Sequence, residues 1–184
     1  MDVERSEVAR IAIVACFVAL SSSLRLFKHV AVGPIQFVNF PAVFTVVGGL
    51  VFGLKAGVLI GVLSFATSDF LIGSVGPWTV YCSLSMGLVG GMAPLMRRVD
   101  GGSSLLGLGV CSYLLVLAYD ILSSAMFWAL MVPPNMVLTL TFTGLFLPSP
   151  RTLYPVGLVT QIVTVVLIVL VYPSVRRVLK EVKP

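Results

Sequence analysis

Charged residues are scarce in this sequence, making up 10% of its 184 residues, where a soluble domain carries about 25%. So few polar side chains cannot coat a globule in water, and lipid must be the main solvent. Histidine occurs once, as His29, which beside Lys28 reads as an interfacial, solvated residue. Cysteine occurs three times, at Cys16, Cys82 and Cys111, far apart and inside apolar runs. With no CxxC and no Cys/His cluster, neither a zinc site nor a disulfide framework is expected, and the three should be free, buried thiols. A GxxxxGK[ST] phosphate loop is missing, so the sequence offers no means of hydrolysing ATP. HExxH and GxSxG are missing too, which argues against metal and serine hydrolases.

Apolar residues dominate instead, at 58% of the chain. The net charge of +5 collects at the ends of the apolar runs, which suits membrane orientation better than nucleic-acid binding. The stretch IVAC, ending at Cys16, superficially resembles a lipoprotein cleavage box. Only five apolar residues separate Arg10 from Cys16, and Asp2, Glu4 and Glu7 precede them. A signal peptide wants a basic start and an apolar core of about 7–15 residues. Processing there is not expected.

Helix length sets the number of crossings. A membrane helix needs about 20 residues at about 1.5 Å each. Residues 41–72 as one helix would run about 48 Å against a hydrocarbon core of about 30 Å. The break should fall at Gly53-Leu54-Lys55-Ala56-Gly57, where glycine permits a tight turn and Lys55 reaches the headgroups. The glycines at 49, 53, 57 and 61 then lie at the ends of two closely packed helices. The same logic predicts an all-α, single-domain bundle, residues 1–184, with six spans at about 8–26, 35–54, 56–72, 78–96, 104–131 and 154–175. Pro41 is expected to kink the second span, and residues 132–153 form a long connection. With an even number of spans both termini share a side. That side would hold nine basic residues (Arg5, Arg10, Lys55, Arg97, Arg98, Arg176, Arg177, Lys180 and Lys183), and the other three (Arg25, Lys28 and Arg151). The asymmetry places both termini in the cytoplasm of a multi-pass membrane protein.

The first span carries a row of small residues. Ala9, Ala12, Cys16, Ala19 and Ser23 recur at spacings of three and four, broadened by Ala15 and Ser22. Such a row lets another backbone approach closely, either from a helix of the same chain or from a separate membrane protein.

Only two acids, Asp69 and Asp120, lie inside the predicted spans. Ionisable groups at membrane depth are costly and usually face a cavity or a partner. Both fall towards the outer ends of outward-running helices, although Asp69 is close enough to its end to cap the following loop instead. Asn39, Trp78, Tyr81, Tyr119, Arg151 and Tyr154 map to the same layer, with Gln36, Ser123, Ser124, Trp128, Asn135 and Gln161. They form either an interfacial aromatic belt or the walls of an outward-facing pocket for a flat, polar small molecule. Arg151 would pair with a carboxylate or phosphate on such a ligand, and Asp69 or Asp120 with a cationic or hydroxyl group.

PAVFTVVGGLVFGLKAGVLIGVLSFATSDFL (41–71), GPWT (76–79) and GLVGGM (87–92) resemble the substrate-binding S components of energy-coupling factor transporters. The likeness implies six helices with cytoplasmic termini in a prokaryotic plasma membrane, and a vitamin or similar micronutrient bound from outside. It implies partnership with a transmembrane coupling subunit and a pair of ABC-type ATPases. Those subunits would use ATP, and this chain would bind no cofactor and no metal. It also implies an AxxxA pattern on the first helix that contacts the coupling subunit, matched here by Ala15 and Ala19 within the face that includes Ala12.

Two other function classes remain. Tyr119-Asp120 has the YD of intramembrane aspartyl proteases, and two aspartates can share a proton. The GxGD partner is absent, since Ala66-Thr67-Ser68 precede Asp69, so an enzyme is not expected. A self-sufficient secondary transporter or channel would be expected to show internal repeats. The two halves of this chain have no convincing similarity.

Overall fold

The computed structural model describes residues 2–33, 37–96, 104–146 and 157–182. Their regular structure is entirely helical: α1 (Asp2–Val32), α2 (Phe40–Phe52), α3 (Leu54–Ile72), α4 (Pro77–Met92) continued by a 3-10 turn (Ala93–Leu95), α5 (Leu105–Met131), α6 (Pro134–Phe146) and α7 (Gly157–Val182). Among the described residues, four stretches are long and apolar enough to cross a membrane: Glu7–Val32, Leu54–Ile72, Leu105–Met131 and Val159–Val178. The apolar α2 has 13 residues and so covers about 20 Å.

The expected hairpin between the second and third helices is present and tighter than a loop. Gly53 alone separates α2 from α3, at φ 89° and ψ −176°, a conformation essentially confined to glycine. Its N–H donates to the Gly49 carbonyl at 3.0 Å, and its own carbonyl accepts from the Gly57 N–H at 3.0 Å. The remaining glycines bring three backbones together. A methyl group at Gly57 would collide with the carbonyl of Gly90, one at Gly61 with the carbonyl of Met86, and one at Gly49 with both Gly90 and Ala93. Lacking side chains at these points, α2, α3 and α4 pack backbone to backbone.

That contact makes α2 the middle of the bundle, touched by α1, α3, α4 and α7. Ala42, Val43, Val46, Val47 and Leu50 are buried and join Met86, Val89, Val116 and Ile168 in the main core. α1 lays Val14 and Val18 against Ala56 and Ile60, with Phe17 edge-on to both Phe44 and Phe52. Its small-residue row, Ala12, Ala15, Cys16, Ala19 and Ser23, faces outward.

Several details differ from the sequence reading, among them the start of α2 at Phe40 instead of about 35 and the end of α7 at Val182 instead of about 175. Pro41 lies in the first turn of α2 and makes no kink, because a proline there gives up only an N–H that has no helical acceptor. α1 continues six residues past 26, to Val32. The connection at 132–153 contains α6, whose 13 residues start at Pro134, again a proline at a favoured first position. Cys16 is free but exposed, while Cys82 and Cys111 are free and partly buried.

Candidate functional site

The polar side chains gather at one end of the bundle, where α1, α3 and α5 finish and α2, α4 and α7 begin. Arg25 Nη1 lies 2.6 Å from Asp69 Oδ1, joining α1 to α3, and the carboxylate is only 1% exposed. The same guanidinium nitrogen donates to the Ser68 hydroxyl, and its carbon sits 4.6 Å from the Phe65 ring centroid. The second carboxylate oxygen of Asp69 accepts from the Thr79 hydroxyl at 2.7 Å. Thr79 Oγ1 in turn accepts from the Gly76 N–H at 3.2 Å, closing the start of α4. Asp69 thus ties three helices together. A buried carboxylate needs such partners, and this one has a cation and a hydroxyl.

A second cluster lies alongside. Gln161 on α7 is fully buried, and its Nε2 donates to Asp120 Oδ2 on α5 at 2.7 Å. Its Oε1 is buried with no hydrogen-bond partner, which leaves an acceptor whose desolvation is uncompensated. The Tyr119 ring packs on Phe65 with centroids 5.5 Å apart, linking the two clusters. Further along α5, Phe127 meets Tyr81 at 6.1 Å and Trp128 at 4.9 Å. The result is an aromatic wall beside a carboxylate–carboxamide pair.

The predicted residues divide accordingly. Tyr119 and Asp120 come together with Phe65 and Gln161, and Tyr81 extends the aromatic row. Asn39 is buried as the cap of α2: its Oδ1 accepts from the Ala42 N–H at 3.2 Å, and its N–H donates to Thr164 Oγ1 at 3.0 Å. Trp78 is exposed, its indole N–H donating to the Ser74 carbonyl at 2.7 Å. Arg151 and Tyr154 lie outside the described residues. Sequence reading missed Arg25, which it only counted among the basic residues of one side, and Phe65, which it did not single out. An acid as deep as Asp69 implies a counter-charge, and Arg25 is the cation at the matching height on α1. Among the described residues, no group of three or more His, Cys, Asp or Glu side chains comes together.

A family model described as ECF-type riboflavin transporter, S component, matches residues 5–176. No curated protein and no solved structure gives a significant match. The match spans nearly the whole chain, which belongs to this family of transporter S components, the substrate-binding membrane subunits of ECF transporters.

Proposed function

We propose that this S component captures riboflavin, or a compound with the same three-ring flavin core, from the outer side of a prokaryotic plasma membrane. The family description names that vitamin, and the clustered end of the bundle suits its chemistry. A flavin is a flat aromatic system with one edge of alternating carbonyls and an imide N–H. The Gln161 carbonyl oxygen, buried and without a partner, is an acceptor for such an N–H, and this orphaned acceptor carries the reading. Tyr119 and Phe65 supply a ring surface beside it, and Asp120 orients the carboxamide. Tyr81, Phe127 and Trp128 extend the apolar wall. Asp69 acts through structure, holding α1, α3 and α4, with Arg25 as its partner.

In this reading the chain crosses six times with both termini in the cytoplasm, as its basic residues favour. The shorter α2 crosses inside the bundle, sheltered by its neighbours, and α4 crosses with Val80, Leu84 and Leu88 on an exposed face. The outward row of Ala12, Ala15, Cys16 and Ala19 is the docking face for a transmembrane coupling subunit, since small side chains let a second helix approach. A pair of ABC-type ATPases behind that subunit supplies the energy.

Riboflavin fluorescence provides the test. Titrating the vitamin with purified protein should quench its emission to saturation at one per chain. Asp120→Asn and Gln161→Ala should each weaken binding at least tenfold, or by about 1.4 kcal/mol. Arg98→Gln, at a position that falls between α4 and α5 in the sequence, should leave affinity unchanged. Binding insensitive to both site variants would move the pocket elsewhere, and no binding at all would reject the flavin.

A further inference from the structure

Opposite the polar cluster, a cavity of about 440 Å3 opens between α1, the end of α2 and the last turns of α7. Its volume falls in the range of about 300–1,000 Å3 typical of ligand pockets. Ala12, Cys16, Phe17, Phe52, Val175 and Val178 form most of its lining. Ser174 also lines it, but its hydroxyl donates to the Leu170 carbonyl at 3.2 Å, so the groove offers a ligand no free polar group there. Two bases flank it. Arg10 is three residues before Ile13, another lining residue, and Arg177 is three residues after Ser174. Residues three apart share a helix face, and both arginines are exposed. Lys55, just past Phe52, is exposed at the same end.

An apolar trough with cations at its rim matches an amphiphile with an anionic head. We propose that one anionic phospholipid is held here, an acyl chain lying against Phe17, Phe52 and Val178 and its phosphate between Arg10 and Arg177. General contact with the bilayer needs neither feature, since a flat helix surface meets lipid equally well. The concave aromatic floor and paired arginines favour one lipid over its neighbours, because each basic residue strengthens attraction to an anionic headgroup. Ala12 and Cys16 belong both to this groove and to the outward small-residue row, so a subunit docking on that row must cover or displace the lipid.

Native mass spectrometry of the full chain, delipidated in detergent and then offered phosphatidylglycerol or phosphatidylcholine, tests the site. The wild type should retain one phosphatidylglycerol and release phosphatidylcholine. Retention should fall about fivefold for each arginine removed, and so about 25-fold in Arg10→Gln/Arg177→Gln. Ala12→Phe, at an exposed position, should fill the groove and abolish retention while circular dichroism stays unchanged. Millimolar inorganic phosphate should not displace the lipid. Equal retention of the two lipids, or undiminished retention in the double arginine variant, overturns the proposal. Displacement by inorganic phosphate would reduce it to a bare anion site, and a dimer mass lost with Ala12→Phe would assign the groove to a second copy.

Discussion

Replacing Arg25 by Met removes the cation that faces Asp69 while keeping the packing on Phe65. The carboxylate it leaves is 1% exposed and retains only the Thr79 hydroxyl, at 2.7 Å. Breaking a buried pair from one side destabilises by about 3–5 kcal/mol. The remaining Thr79 bond favours the lower end, so about 3 kcal/mol is expected. Asp69→Asn should be milder, at about 1.5–2 kcal/mol, because Arg25 is 19% exposed and able to recruit water. Combining the two leaves a neutral pair, with Asn able to accept from Thr79. The double variant should therefore be about 1–2 kcal/mol more stable than Arg25→Met alone, a non-additivity expected of residues in contact. The assay is reversible unfolding in mixed micelles of rising sodium dodecyl sulfate, followed by tryptophan emission and circular dichroism. Additive single effects, or a loss below about 0.5 kcal/mol in Arg25→Met, would show that the pair behaves as an exposed one. They would refute the view that it fastens three helices.

Gly57→Ala should destabilise by at least about 2 kcal/mol, since its methyl group meets the Gly90 backbone, which has no rotamer with which to yield. At Gly53 there is open space, yet Gly53→Ala should still lose about 1–3 kcal/mol from its backbone conformation alone. Unfolding midpoints of the two variants check both. Thr79→Val should lose about 1.5–3 kcal/mol with its carboxylate bond, and its riboflavin affinity, by fluorescence quenching, should change less than that of Gln161→Ala. Ala19→Leu, on the outward row of α1, should leave riboflavin binding intact and lower uptake at least tenfold in cells that carry the coupling subunits. Wild-type uptake by that variant would remove the docking face from α1.

The helical character and the hairpin at Gly53 were legible because they follow from length: the 32 residues 41–72 are too many for a single crossing. The backbone seam was legible in the glycine spacing. Other features depend on pairings that no local pattern records. Arg25 and Asp69 are 44 positions apart, and only the packing of α1 on α3 sets them at one height. Asn39 looked like a site residue because it is polar at an interface, whereas the start of α2 uses it as a cap. Pro41 read as a kink although it stands in the first turn of α2, the one place in a helix where proline fits. The α6 segment had no clear apolar period, and the Pro133-Pro134 pair at its start hid it.

The glycine seam also bears on how a transporter subunit built this way can change shape. Where α2, α3 and α4 meet, main chain rests on main chain, so no side-chain rotation can ease them past one another. A one-residue link at Gly53 allows no play between the first two. These three helices therefore form a stiff keel, and delivery of cargo must tilt that keel whole or be confined to the elements around it.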